Sequence, residues 1–234
     1  SELLQKGQAT KLYDSIWEAK AYTPQGIVEG NQTKELLLKD DYVETIPYQW
    51  NGLNNKLGGI RQGELTLLCA GSGTGKSQVC RELAYHLISQ KIKVGYIALE
   101  ENVKRSIRGI VSLGLNKLIH KPDVRKQIPE EELIKEWNNV KDYICFYDSF
   151  GVSDTDDLMN RIRYMVVALD CKIIFLDHIS IVVSSVSDGD ERRNIDLLMT
   201  NLRKLVEEIK CSMFVVSHLK RPEGKLGHEE GVQT

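Results

Sequence analysis

The stretch Glu64-Leu65-Thr66-Leu67-Leu68-Cys69-Ala70-Gly71-Ser72-Gly73-Thr74-Gly75-Lys76-Ser77 decides the fold. An apolar run of strand character ends in a glycine-rich turn, and a lysine and a hydroxyl follow where a helical pattern begins. That order is the signature of a phosphate-binding P-loop. Gly71, Gly73 and Gly75, with Ser72 and Thr74 between them, free the backbone to turn successive N–H groups inward around phosphate oxygens. Lys76 would reach the terminal phosphates of a nucleoside triphosphate. Ser77 would ligate Mg²⁺, and the N-terminus of the helix it opens adds partial positive charge. The strict spacing has glycine in the position of Ala70, where a small side chain at a strand end also serves. A chance Gly/Ser turn is the competing reading. It does not account for the strand before the turn, nor for the helix after it, where Val79 and Cys80, Leu83 and Ala84, Leu87 and Ile88 recur four residues apart.

Working outward from this stretch, strand and helix patterns alternate. Val94–Leu99 is a second buried strand, Val103–Leu118 a helix, Tyr143–Tyr147 a third strand, and Asp154–Leu169 a helix with one apolar face. Lys172–Leu176 is a fourth strand. Arg192–Lys210 is a helix striped by Ile195, Leu198, Leu202, Leu205, Val206 and Ile209, and Ser212–Val216 is a fifth strand. The alternation predicts an α/β fold with a mainly parallel, twisted sheet and helices on both faces. Lys121–Glu131, charged and carrying two prolines, reads as a solvated loop. Residues 1–48 read as an arm and residues 49–234 as the nucleotide-binding domain. Within the arm, Leu12, Tyr13, Ile16, Trp17 and Ala19 form a short helical stripe, packed either on its own domain or on a neighbouring subunit. Thr23–Leu36 reads as a linker.

Parallel sheets bind ligands at the carboxyl ends of their strands, so the residues there carry chemical information. Asp177 closes the apolar run Ile173-Ile174-Phe175-Leu176 and would hold Mg²⁺ together with Ser77, or else cap a helix. Glu100 is the candidate general base for the water that attacks the γ-phosphate. Glu101 is the alternative, and both residues otherwise only begin a helix favourably. His218 ends the fifth strand and is either a γ-phosphate sensor or a structural histidine. Its sequel Leu219-Lys220-Arg221-Pro222-Glu223-Gly224-Lys225 would carry the nucleotide state to a bound polyanion, with Lys220, Arg221 and Lys225 on phosphates.

Hydrophobic residues make up 41% of the 234 and charged residues 27%, a globular balance. No apolar run approaches the roughly 20 residues of a membrane span, and no signal-peptide pattern opens the chain, so we expect a cytoplasmic setting. A net charge of −2 makes no bulk argument for nucleic acid, which rests on the local basic loop. Cys69, Cys80, Cys145, Cys171 and Cys211 are scattered singly, as expected of reduced, buried thiols. The chain opens on Ser1 and stops after a strand and a polar loop, from which we expect a fragment, incomplete at its C-terminus.

The chain resembles the helicase domain of the bifunctional primase-helicases of T-seven-type phages, within the DnaB-like, RecA-fold ring helicases; mitochondrial Twinkle is more distant. The specific stretches are Asp177-His178-Ile179-Ser180-Ile181-Val182-Val183-Ser184, Asp190-Glu191-Arg192, Leu198-Met199-Thr200, and His218-Leu219-Lys220 with His228-Glu229-Glu230-Gly231. The resemblance implies a RecA-like P-loop NTPase, using ATP or a dNTP with Mg²⁺ to move along single-stranded DNA as a hexameric or heptameric ring. By resemblance Glu100 is the base, Ser77 and Asp177 hold the metal, and His218 is the phosphate switch. The segment after His218 is a DNA loop, Gln5–Ala21 docks on the next subunit, and a primase domain and other replication proteins are partners. It also implies an arginine finger beyond Thr234, so that these 234 residues alone would hydrolyse nucleotide poorly. A recombinase-like or clock-type RecA-fold ATPase and a nucleotide-gated binding module are the competing functions.

Overall fold

A computed structural model of the chain describes residues 28–39, 44–148, 155–179 and 191–218. These fall in two units divided before Glu44. In the first, a 3₁₀ turn over Gly30–Gln32 leads into the short helix α1 (Lys34–Leu38), exposed along its length. The linker expected over Thr23–Leu36 is therefore helical in its described part: Thr33 donates its hydroxyl to the Gly30 carbonyl, and Leu37 N–H closes on the Thr33 carbonyl.

The second unit opens with a two-stranded antiparallel pair, β1 (Thr45–Ile46) and β2 (Ile60–Arg61), around helix α2 (Asn51–Leu57). Asn54 ties Tyr48 down through two hydrogen bonds of 2.7 Å, and Gly58 stops α2 in the left-handed region. Tyr48 meets Phe214 edge-on at 6.2 Å, so residues 44–48 pack with the sheet.

The sheet itself has five strands, all parallel: β3 (Leu65–Ala70), β4 (Val94–Ala98), β5 (Ile144–Tyr147), β6 (Ile173–Asp177) and β7 (Ser212–His218). Their order is β3-β7-β6-β4-β5. Every residue of β4 and β6 and the first five of β7 are buried, which is why they read as continuous apolar runs. Side chains alternate between two cores. Ile97, Ile174, Leu176, Met213 and Val215 pack with α7 (Thr155–Val167) and α8 (Glu191–Ile209), through Leu158, Ile162, Met165, Leu198, Leu202 and Val206. Val94, Tyr96, Ile173, Phe175, Phe214 and Val216 pack with α3 (Lys76–Ser89) and α4 (Val103–Leu115). Gly95 admits α7 closely: a Cβ there would sit 2.6 Å from Ile174 Cδ1 and 2.9 Å from Met165 Sδ.

The segment expected to be a solvated loop is mostly helical: α5 spans Pro122–Lys126 and α6 spans Glu130–Val140. The two prolines begin these helices, Pro122 in the first turn of α5 and Pro129 at the N-cap of α6, where no backbone N–H is required. Glu130, Glu131 and Glu132 favour the first turn of α6, and Ile119, Ile128 and Val111 form a small core of their own. All five cysteines are free thiols. Cys69, however, is exposed, because β3 is an edge strand with one face in solvent, and only Cys80, Cys171 and Cys211 are fully buried.

The rings of Phe175 and Phe214 stack at 5.3 Å, and Tyr96 lies 5.7 Å from Phe175, all fully or nearly fully buried on adjacent strands. Phe175→Ala should leave a cavity at the centre of the sheet and cost about 3–5 kcal/mol of stability, read from urea unfolding. A loss below about 1 kcal/mol would mean that the ring is not central to the core.

Candidate active site

The strand order converts scattered sequence positions into a single row. Ala70 at the end of β3 pairs with His218 at the end of β7, and Asp177 at the end of β6 pairs with Ala98 at the end of β4. Just past β4, the Leu99 N–H donates to the Asp177 carbonyl at 2.7 Å and draws the next residue, Glu100, alongside. The P-loop, His218, Asp177 and Glu100 thus line one open cavity of about 520 Å³.

On one side the loop from Gly71 to Gly75 closes over the Lys76 side chain. Gly73 and Gly75 have φ of +79° and +95°, while Gly71 is not among the glycines with positive φ. A Cβ at Gly73 or Gly75 would meet nothing within 4 Å, so backbone conformation and not space requires glycine there. The Thr74 hydroxyl donates to the Gly71 carbonyl at 2.9 Å, and the Lys76 ammonium donates to the carbonyls of Ala70 (2.8 Å) and Gly71 (2.6 Å). A buried cation held in this way gives the cradle a positive centre, and α3 starts at that same residue.

Asp177 is 5% exposed with the Ser77 hydroxyl close enough to act on its carboxyl, yet its Oδ1 is buried with no hydrogen-bond partner among the described residues. Burial pushes its carboxyl above the usual range; the Ser77 hydroxyl and His178 oppose that, while Glu100 and Glu101 reinforce it. An unpartnered buried carboxylate oxygen beside a hydroxyl is a hard, oxygen-donor pair, which fits a divalent cation such as Mg²⁺.

The two adjacent glutamates have different fates. Glu101 accepts from Arg81 (2.6 Å), Arg105 (3.3 Å) and the Ser106 hydroxyl (2.7 Å), and its side chain is 9% exposed. Glu100 keeps a half-exposed side chain facing the cavity and meets His178 Nε2 at 2.5 Å. Of the two candidate bases, only Glu100 retains a carboxylate oxygen that is not already taken up by cations and a hydroxyl.

The His218 ring stands edge-on to His178 with centroids 4.2 Å apart, and its Nδ1 is buried without a partner among the described residues. Burial, then His178 and Lys76, lower its pKa, so the neutral ring is favoured. The structure therefore brings together Lys76, Ser77, Asp177, Glu100 and His218. It also adds two features that were not assigned from sequence: the arginine clamp on Glu101, and His178. The run Asp177-His178 was conspicuous, but no periodicity shows a histidine facing a glutamate 78 positions away. Lys220, Arg221, Lys225 and the helix expected over Gln5–Ala21 lie outside the described residues.

Comparison with known proteins gives the family and the fold. Residues 45–228 match the DnaB-like helicase C-terminal domain. The chain is 35% identical to the DNA helicase/primase of enterobacteria phage T3 over 236 aligned residues, covering 96% of this chain and 41% of that protein. It thus spans about two fifths of that relative's length. Among solved structures it resembles a DnaB-like replicative helicase studied with primase (TM-score 0.67, 15% identity, 96% of this chain and 57% of that one). It also resembles a KaiC-like protein from the hyperthermophilic archaeon Pyrococcus horikoshii (TM-score 0.58, 18% identity, 81% and 77%). The sheet described above is thus RecA-like.

Because burial raises the Asp177 pKa, its charge costs the folded chain stability at any pH where it is ionised, and nothing once it is protonated in both folded and unfolded chains. Asp177→Asn should therefore raise the melting temperature of the nucleotide-free protein at about pH 7, with the advantage shrinking as pH falls through the carboxyl range. Thermal melts across that range check it; a lower melting temperature for the variant at neutral pH would contradict the expectation.

Proposed function

Since this chain belongs to the family of DnaB-like helicase C-terminal domains, we propose that it is the motor of a replicative DNA helicase. In this reading it hydrolyses a nucleoside triphosphate with Mg²⁺ and uses the energy to move on single-stranded DNA as a ring. The observation that carries the reading is the unpartnered, buried Asp177 oxygen beside Ser77, in the same cavity as the P-loop and the free face of Glu100.

The backbone N–H groups of residues 71–75 and the Lys76 ammonium bind the phosphate chain, and the start of α3 adds its dipole. Ser77 and Asp177 would hold the Mg²⁺, which would supply positive charge to the phosphate oxygens. Glu100 orients the attacking water and takes its proton, a contribution of about 10²–10⁴-fold. Glu101 is withheld from that role by Arg81 and Arg105. His218 offers a neutral ring that donates to the γ-phosphate and loses that bond after hydrolysis, and the Lys220, Arg221 and Lys225 loop follows it directly in the chain. That loop contacts DNA phosphates, the Gln5–Ala21 helix docks on the neighbouring subunit, and a primase domain and other replication proteins complete the assembly. A cytoplasmic setting goes with this role.

Glu100→Gln should keep nucleotide affinity within about threefold and lose turnover by about 10²–10⁴-fold, measured by equilibrium binding beside phosphate release. Loss of binding would assign Glu100 a structural role. For the DNA loop, replacing Lys220, Arg221 and Lys225 with alanine in the complete protein should flatten the salt dependence of single-strand affinity. The expected change is about 0.7 log units per log unit of salt for each DNA phosphate no longer neutralised. An unchanged slope, or hydrolysis indifferent to DNA with no strand displacement, would point to a regulatory ATPase of the same fold.

A further inference from the structure

Between the candidate base and the candidate sensor stands a residue that the phosphate- and metal-binding roles leave unused. His178 follows Asp177 at the end of β6, is 5% exposed, and spans the gap between Glu100 and His218. Its Nε2 lies 2.5 Å from Glu100 Oε1, and its ring meets the His218 ring edge-on at 4.2 Å. A carboxylate only accepts, so the proton of this hydrogen bond sits on His178 Nε2. We propose that His178 is a positioning residue for hydrolysis: it fixes the Glu100 carboxylate by one oxygen so that the other faces the attacking water.

The two partners are held very differently. Glu100 sits past the end of β4 with half its side chain in solvent. His178 is buried, packed against a second ring and attached to a central strand whose every residue is buried. A buried donor at the end of a buried strand thus fixes a half-exposed acceptor. A general base needs such support, because displacement of a catalytic group by about 1 Å costs on the order of 10²-fold in rate. Glu101 shows the contrast: its carboxylate is equally well held, by Arg81, Arg105 and Ser106, but every partner is a cation or hydroxyl that takes up its oxygens. His178 holds Glu100 through the atom pair Nε2 and Oε1, and no hydrogen bond or ion pair among the described residues takes up the other oxygen of this cavity-lining residue.

The proposal builds on Glu100 as the base, and the test separates the two claims. In the complete protein, Glu100→Gln is measured first; if it keeps turnover, the base assignment itself falls. His178→Gln places an amide donor near the position of Nε2. His178→Asn is equally polar and smaller, but its donor stops where Nδ1 sits, short of Glu100. With DNA-stimulated hydrolysis as the readout, H178Q should keep kcat within about threefold of the native protein. H178N should lose about 10–100-fold in kcat with KM and nucleotide affinity within about threefold, since only the placement of the base has changed. Added to Glu100→Gln, H178N should lower kcat no further, because the group it positions is gone. Three outcomes would overturn the proposal: equal kcat for H178N and H178Q, an H178N effect confined to KM, or the same loss for H178N with and without Glu100→Gln.

Discussion

The candidate site depends on the in-register parallel pairing of β6 with β7 on one side and β4 on the other. All three strands are buried on both faces along most of their length, so a shift of register would turn core side chains into the wrong layer. That penalty fixes where each strand stops, and the stops are where Asp177, His218 and Glu100 emerge. The hydrogen bond from Leu99 to the Asp177 carbonyl extends the pairing one residue beyond β4, far enough to bring Glu100 beside the P-loop. Aromatic stacking of Phe175 on Phe214 serves the same end from within the core.

Above that fixed edge, polar groups are sorted by what satisfies them. Lys76 is buried with two carbonyls around it, and Glu101 is buried among two guanidinium groups and a hydroxyl, so both are settled in the absence of a ligand. Asp177 is buried and His218 partly so, but each keeps one buried atom without a partner among the described residues, and Glu100 keeps half of its side chain in solvent. Buried polar atoms cost free energy until something binds them, so the unsatisfied atoms mark where a phosphate and its cation would be most stabilising. Settled and unsettled groups alternate within a few residues, which allows one site to be both stable and reactive.

Much of this was legible in the chain. The glycines, Lys76 and Ser77 are read by a local rule, strands buried on both faces announce themselves as apolar runs, as β4, β6 and β7 do, and the partly buried edge strands β3 and β5 are apolar enough to be read as strands as well. The helices over Pro122–Lys126 and Glu130–Val140 were not, because proline and charge suggest a loop unless their positions relative to a helix start are known. The β1–β2 pair and α2 escaped for another reason: two-residue strands and a seven-residue helix carry too little pattern to stand out. Cys69 read as buried because an edge strand and a central strand look alike until the strand order is known.

By itself, then, the sequence determined that a nucleoside triphosphate is the ligand to expect, that the sheet is parallel, and that Asp177, Glu100 and His218 lie at strand ends on one edge. Those conclusions follow from local stereochemistry and from the period of apolar residues, both properties of neighbours along the chain. Only the tertiary structure decided which of two adjacent glutamates faces the cavity, that Asp177 keeps an oxygen without a partner beside Ser77, and that His178 joins Glu100 to His218. Each of these is a matter of residues that lie on different strands or helices. Such meetings are fixed by strand order and by which buried charge finds a counter-charge first, and neither is written in the spacing of residues along one strand.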